Sequence, residues 1–315
     1  MNPPTNRVPP RRITFIRHAM PRVDAAVSPD AWELSAAGVA AAAEHPLTVE
    51  RAIVVSSPER KALVTTTLMT GHGAVGVDAR FREVDRVERV HDDFRAARAA
   101  WISGRLDSRH SQWETPDAAA QRFHDGLLAH PADHLVVGTH GMVLTAWLVG
   151  QGLIEPGGAA VVFWESLTFP HVIELEAPLL RVRAVLTDAD GRCVLIKRTR
   201  PGHRPYWTAP GGGVELADAT AEDALRRELR EELGAEASVG PVLFERQIDG
   251  IRSEAFYRAR LISMDLQLLD GPELGDPARG NYDVEFVTRD RVAGLDVLPA
   301  ELKQHLLSRR AAPRR

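Results

Sequence analysis

The sequence predicts an α/β chain of two domains, and three observations carry the prediction. Through residue 177, apolar runs of strand length alternate with helix-length segments, the pattern of a sheet covered by helices. From residue 178 the alternation gives way to paired strands around Asp188-Ala-Asp-Gly191, a hairpin signal, and then to a glycine-rich turn feeding one acidic helix. A length of 315 residues suits two domains. The expected organisation is an arm over 1–11, a first domain over 12–177, a second over 178–310 and a basic tail over 311–315.

Composition narrows the function classes. A hydrophobic content of 44% is that of a globular protein. The net charge of −4 gives no general attraction to long nucleic acid. One cysteine, Cys193, excludes an internal disulfide, suits a reducing cytoplasm and reads as a small core residue in an apolar strand. No apolar run is long enough to span a bilayer, and the Pro- and Arg-rich start is not a signal peptide, so a cytoplasmic location without membrane partners is expected. Oligomeric state is not encoded in any pattern here.

In the first domain, Arg12–Ile16 reads as a buried strand ending at Arg17-His18-Ala19. A helix follows through Ser35–Glu44, then a strand at Arg51–Val55. The next helix starts with Ser57 as N-cap and Pro58 at the first helical position. A short strand at Val75–Asp78 leads to Phe81-Arg-Glu-Val-Asp85, and residues 86–130 read as helical and loop insertions. His134–Gly138 is a strand ending at Thr139-His140-Gly141 and entering the helix Met142–Val149. Ala160–Phe163 and His171–Leu175 close the domain as strands. In the second domain, strands are expected at Leu180–Thr187, Cys193–Lys197, Pro241–Arg246, Ser253–Tyr257 and Val284–Val287, with a closing helix at Ala300–Leu307.

Two stretches carry chemistry. His18 and His140 each follow a strand directly, where α/β sheets bind ligands, and an arginine stands beside the first. In the second domain Glu228, Glu231 and Glu232 fall at i, i+3, i+4 on one face of a helix. Three like charges there repel unless a cation offsets them, and clustered carboxylate oxygens suit Mg²⁺. A solvated acidic helix partnered by Arg226, Arg227 and Arg230 is the alternative. The preceding turn, Gly211-Gly-Gly213, favours a ligand because its backbone allows close approach.

The run Arg227-Glu-Leu-Arg-Glu-Glu-Leu-Gly-Ala235 resembles the second half of the Nudix box. The first half departs from it: Ala219 stands where the box has a glutamate, and Asp218 replaces it if the loop carries a one-residue insertion. The resemblance covers about 179–310 and implies an α+β Nudix fold, a mixed sheet with a catalytic helix. It implies hydrolysis of a nucleoside diphosphate-X or nucleoside triphosphate with Mg²⁺, or alternatively Mn²⁺. The implied metal ligands are Glu231 and Glu232, Glu228 as base or outer ligand, and a carbonyl of Gly212 or Gly213; Arg227 would orient the glutamates. Glu285 is a further candidate for the metal shell. Trp207 is positioned to stack on a base or to join the core. Arg198, Arg200, His203 and Arg204 make a cationic loop that either holds phosphates or is simply solvated.

Ile16-Arg-His-Ala19, Ser56-Ser-Pro-Glu-Arg-Lys-Ala62, Phe81-Arg-Glu-Val84 and Thr139-His-Gly141 resemble, in order, the tags of the histidine phosphatase (phosphoglycerate-mutase-like) superfamily over about 12–176. That implies an α/β/α sheet domain without a cofactor. His18 would form a phosphohistidine, Arg17 and His140 would hold phosphoryl oxygens, and Glu83 would protonate the leaving oxygen and then activate water. The family's second arginine aligns with Lys61, which keeps the charge without the bidentate fork, and Arg60 one position earlier is the alternative phosphate ligand. The chain is thus expected to be a bifunctional hydrolase of small phosphorylated substrates, nucleotides foremost; the fusion raises, and leaves open, the hypothesis that the two activities act in sequence. The alternatives are a Nudix enzyme with a catalytically weak, regulatory phosphate-binding first domain, a first domain acting on protein phosphohistidine, and a pair of nucleotide-sensing modules.

Overall fold

A computed structural model describes residues 11–87, 94–199, 204–215, 217–265 and 281–308. The expected arm up to residue 10, the tail 311–315, Arg200 and His203 lie outside the described residues. The chain divides into two compact units, one reaching to Leu179 and including Asp249–Arg252, the other comprising Leu180–Ile248 and the residues from Ser253. No sequence signal marked the assignment of the turn Asp249–Arg252 to unit 1.

Unit 1 contains β1 (Arg11–Arg17), α1 (Ala36–Glu44), β2 (Ile53–Ser56), α2 (Arg60–Thr70), β3 (Gly76–Val77), α3 (Phe94–Ile102), α4 (Pro116–Ala129), β4 (His134–Thr139), α5 (Gly141–Gln151), α6 (Gly158–Ser166) and β5 (His171–Ala177). The sheet order is β3-β2-β4-β1-β5; β5 runs antiparallel to β1 and the other pairs are parallel. Strand alternation sends side chains to two cores. Ile13, Phe15, Val55, Leu135 and Val137 join a core with residues of α3 to α6, whereas Ile16, Val54 and Val136 pack with Ala42 of α1 and Met69 of α2. The result is a sheet covered on both faces, as expected.

Three expectations need correction. Arg11, placed in the arm, is the first residue of β1. Ala160–Phe163, read as a strand, lies inside α6: Ala160 and Trp164 are buried one helical turn apart, while Val162, which a strand would bury with Ala160, is 68% exposed. The helix expected to begin at Ser57-Pro58 begins at Arg60 with Glu59 as N-cap, and the Ser57 hydroxyl is engaged elsewhere.

Unit 2 contains β6 (Leu179–Thr187), β7 (Cys193–Thr199), β8 (Tyr206–Thr208), α7 (Ala221–Leu233), β9 (Ala235–Gln247), β10 (Arg252–Met264), β11 (Asn281–Val287), α8 (Arg289–Val292), β12 (Val297–Leu298) and α9 (Ala300–Ser308). Its described strands form one mixed sheet, β12-β8-β7-β6-β10-β9, with β11 paired to β7. Val182, Ala184 and Leu186 of β6 face Leu225, Leu229 and Leu233 of α7, and Val185 joins the opposite core with Leu302 and Leu306 of α9. β9 and β10 run well beyond the strands expected there, and β8, α8 and β12 are too short to leave a periodic signal. Among the described residues, no helix is long and apolar enough to cross a membrane.

Candidate active sites

In unit 1 the sheet register assembles the site. β1 and β4 are parallel neighbours with Arg17 opposite Thr139, so the residues that follow, His18 and His140, emerge side by side with ring centroids 5.2 Å apart. β2 flanks β4 with Ser56 opposite Gly138, which brings Ser57, Glu59 and Lys61 to the same end. Arg17, His18, Lys61 and Glu83 line a cavity of about 450 Å³.

The His18 ring places Nδ1 2.7 Å from the Ala19 carbonyl. A carbonyl only accepts, so Nδ1 carries the proton and Nε2 keeps its lone pair. Burial first, then His140, Lys61 and Arg17, push the His18 pKa well below the ordinary histidine value, so the ring is neutral and nucleophilic at neutral pH. His140 is fully buried and is held low by burial and by Lys61. Its Nε2 meets Ser57 Oγ at 2.8 Å, and its Nδ1 has no hydrogen-bond partner among the described residues. Arg17 lays its guanidinium over Phe169, 3.6 Å from the ring centroid, and donates to the carbonyls of Leu167 and Thr168. Burial lowers its pKa to about 10, which leaves it charged.

Glu83 accepts from the amides of Val143 at 2.9 Å and Met142 at 3.3 Å, in the first turn of α5. Withdrawal from water raises its pKa, but His140, Arg86 and the Val143 amide outweigh that effect, and the net shift is downward. Gly141 opens this helix because an added Cβ would crowd Arg17 Nε and the Trp164 indole.

Of the two cations offered by α2, Lys61 is in the pocket and Arg60 is not. Arg60 is 69% exposed and pairs with Glu33 at 2.9 Å, which corrects its expected role as a phosphate ligand; it turns roughly one-quarter of a helical circuit away from Lys61. Sequence reasoning missed the arginines Arg86, Arg95 and Arg98, which also line the cavity, and Ser57 and Glu59, which contact His140 behind it. The i, i+3 spacing of Arg95 and Arg98 on one face of α3 was the available signal.

In unit 2, Thr220 caps α7 by accepting from the Asp223 amide, and Gly234 ends it in a left-handed conformation. Ala224, Leu225, Leu229 and Leu233 are buried, leaving Glu228, Glu231 and Glu232 half-buried beside the glycine turn. Arg227 is the hub of the loop. Its Nε lies 3.2 Å from Asp218 Oδ1, and its terminal nitrogens lie 3.0 Å from Asp218 Oδ2, 3.1 Å from Glu215, 2.9 Å from Glu231 and 3.0 Å from the Gly213 carbonyl. Asp218, not Ala219, thus supplies the loop carboxylate that grips this arginine. Glu232 accepts from the Gly211 amide at 2.7 Å. Glu228 packs on Gly212, where an added Cβ would collide with its carboxylate. Burial, then Glu232 and Glu231, push Glu228 up to about 7 against the pull of Arg227.

Among the described residues, no three His, Cys, Asp or Glu side chains already converge as a metal cage. The donor chemistry nonetheless fits a hard divalent cation: three carboxylates share one helix face, and burial, then repulsion from Glu232 and Glu231, disfavours charge on Glu228. The carbonyls expected to assist are already engaged, Gly212 by the Val182 amide at 2.8 Å and Gly213 by Arg227, though each keeps a second lone pair. Glu285, a candidate for the metal shell, is committed instead to Trp207 Nε1 at 3.0 Å and Lys197 at 3.4 Å. Trp207 packs against the Val185–Phe256 core, so of its two expected roles the contacts show the packing one. Arg198 stacks over Tyr282, 3.7 Å from the ring centroid, and Arg204 is exposed.

Residues 177–300 match the NUDIX domain family. The chain is 35% identical over 101 residues to the U8 snoRNA-decapping enzyme of Ovis aries, a stretch covering 27% of this chain and 50% of that enzyme. It is 37% identical over 75 residues to the CTP pyrophosphohydrolase of Escherichia coli K12, covering 23% and 55%. The chain thus spans about half the length of the curated relatives it matches. Among solved structures, a mycobacterial glucosyl-3-phosphoglycerate phosphatase aligns over 53% of this chain and 90% of its own at 25% identity, with a TM-score of 0.38. The glutamates of α7 and the arginine hub therefore lie within the stretch that matches the NUDIX domain family.

Proposed function

We propose that the chain is a phosphate hydrolase with two sites: a Nudix site hydrolysing the anhydride of a nucleoside diphosphate-X or nucleoside triphosphate, and a phosphohistidine site hydrolysing phosphomonoesters. The Nudix half rests on the three α7 glutamates within the matched stretch, two of which, Glu228 and Glu231, pair with Arg227. The names of the two relatives point to nucleotide substrates. Glu231 and Glu232, with Glu228, would hold Mg²⁺ or Mn²⁺. The bound ion would supply neutralisation of the phosphate charge and activation of water. Arg227 pairs with Glu228 and Glu231, and Glu228, with a pKa of about 7, is suited to hold or release a proton at neutral pH.

The observation that carries the unit 1 half is the neutral, Nδ1-anchored His18 beside Arg17. Its Nε2 lone pair attacks phosphorus; the P–N bond forms as the ester P–O bond breaks, and the leaving oxygen takes a proton from the Glu83 carboxyl. Water then attacks phosphorus and gives a proton to Glu83, the P–N bond breaks, and orthophosphate and free His18 result. Because Glu83 rests mainly as a carboxylate, its protonated form is scarce near neutrality. Hydrolysis of an alkyl phosphate should therefore speed up as pH falls from 7 towards 6.5.

A second reading, in which unit 1 binds phosphate as a regulatory module with weak turnover, draws on Lys61 standing where a forked guanidinium is expected. A screen of nucleotides and phosphomonoesters, with and without Mg²⁺, decides between them. The two-site reading expects p-nitrophenyl phosphate turnover that persists in EDTA and nucleotide anhydride hydrolysis that does not. Phosphate binding without His18-dependent turnover supports the regulatory reading.

A further inference from the structure

Lys61 is the weak member of the unit 1 site as a sequence, and its surroundings address that weakness. Its ammonium has three N–H donors. One goes to Glu59 Oε2 at 2.5 Å and one to the Pro29 carbonyl at 2.6 Å. Lys61 also lines the cavity with Arg17 and His18, whereas Glu59 lies behind the wall. The other Glu59 oxygen accepts from the Glu83 amide at 2.7 Å and stands 3.3 Å from His140 Nε2. One buried carboxylate therefore touches Lys61, His140 and the backbone of Glu83. Glu59 is also the N-cap of α2 but makes no side-chain capping bond, so local helix chemistry does not account for it.

We propose that Glu59 is the positioning residue of the unit 1 site: together with the Pro29 carbonyl it fixes the Lys61 ammonium so that the remaining N–H is presented to a phosphoryl oxygen. A flexible lysine held at two of its donors then does what a pre-organised guanidinium fork would do. The pair also explains how Lys61 remains 4% exposed at the pocket wall without an unpaired buried charge. The inference rests on the phosphate-site reading of unit 1, but it makes a separate claim with a distinctive sign. By charge alone, removing a carboxylate next to an anion site should strengthen phosphate binding. By positioning, removing it should weaken binding.

The test is a double-mutant cycle in the full chain with inorganic phosphate as the probe, measured by calorimetry. Glu59→Gln should weaken phosphate binding about tenfold, the size expected for losing one charge-assisted hydrogen bond. Lys61→Met should do at least as much, and the double variant should be no worse than Lys61→Met alone. Glu59→Asp keeps the charge but withdraws the oxygen from Lys61, and should fall between wild type and Glu59→Gln; it also serves if Glu59→Gln fails to fold. Tighter binding in Glu59→Gln, full additivity with Lys61→Met, or no phosphate binding by the wild-type chain each overturns the proposal. Turnover of p-nitrophenyl phosphate, with His18→Ala as control, is scored separately. Absent turnover with intact coupling rejects the phosphatase reading and leaves the role of Glu59 standing.

Discussion

The two candidate sites have opposite electrostatics. Unit 1 brings its own positive charge: Arg17 and Lys61 stand around His18, and together with burial they drive its pKa down. Unit 2 presents negative charge: Glu231 and Glu232 stand around Glu228, and together with burial they drive its pKa up to about 7. On the proposed reading the first arrangement would receive a phosphate dianion directly, whereas the second would take up a cation before a polyphosphate approached. Burial leads both shifts, lowering the histidine and raising the carboxylate, and the neighbouring charges of each site add to it in the same direction.

The largest expected effects break this contrast one side at a time. His18→Ala should reduce p-nitrophenyl phosphate turnover by about 10³-fold or more, since it removes the nucleophile, and should leave nucleotide anhydride hydrolysis intact. Glu231→Gln should do the reverse, and EDTA should mimic Glu231→Gln but not His18→Ala. A variant that silences both reactions would show that the sites are not independent.

A smaller effect sharpens the unit 2 side. Gly212→Ala places a methyl against the Glu228 carboxylate, so about 1–3 kcal/mol of unit 2 stability should be lost along with most anhydride hydrolysis. Asp218→Ala removes the bidentate grip on Arg227, whose side chains are 9% and 17% exposed. It should cost about 2 kcal/mol of stability and slow anhydride hydrolysis about tenfold, because the arginine paired with Glu228 and Glu231 loses its anchor. Ala219→Glu in that background should not restore activity if Asp218 alone is correctly placed. Thermal unfolding and initial rates measured on the same samples separate the two effects.

How far the sequence revealed these sites depends on how local each one is. The α7 glutamates and Arg227 share one helix, so helical spacing alone brings them together. His18 and His140 were legible one at a time as strand-end residues, but their adjacency comes from β1 lying beside β4, a pairing across more than a hundred residues. Ser57 and Glu59 were hidden for the same reason: they acquire partners only because β2 lies beside β4. The choice between Asp218 and Ala219 needed the loop's path, which motif spacing leaves open. The segment 160–163 misled because four apolar residues fit either periodicity, and only the exposure of Val162 separates helix from strand.

The mildest expected effect concerns pH. His18, His124, His134, His140 and His171, all in unit 1, are held below the ordinary histidine value of 6.5, with burial as the leading cause in each. A depressed histidine is neutral when folded, so below about pH 6.5 the unfolded chain binds more protons and unit 1 loses stability as pH falls. The slope can reach about 1.4 kcal/mol per pH unit per histidine, and the partly exposed members contribute less. Carboxylates such as Glu83 and Asp78 are also depressed, but their losses begin only near and below their ordinary values of 4.5 and 3.8, so the interval from 6.5 to 5 isolates the histidines. Trp32, Trp101, Trp113, Trp147 and Trp164 lie in unit 1 and only Trp207 lies in unit 2, so tryptophan fluorescence in urea reports mainly on unit 1. His18→Asn and His140→Asn, which remove the two most deeply buried rings of the site, should each flatten the loss between pH 6.5 and 5. An unchanged slope in both variants would mean that the acid sensitivity lies outside the candidate site, and that the site's neutral histidine pair is not a stored cost of its chemistry.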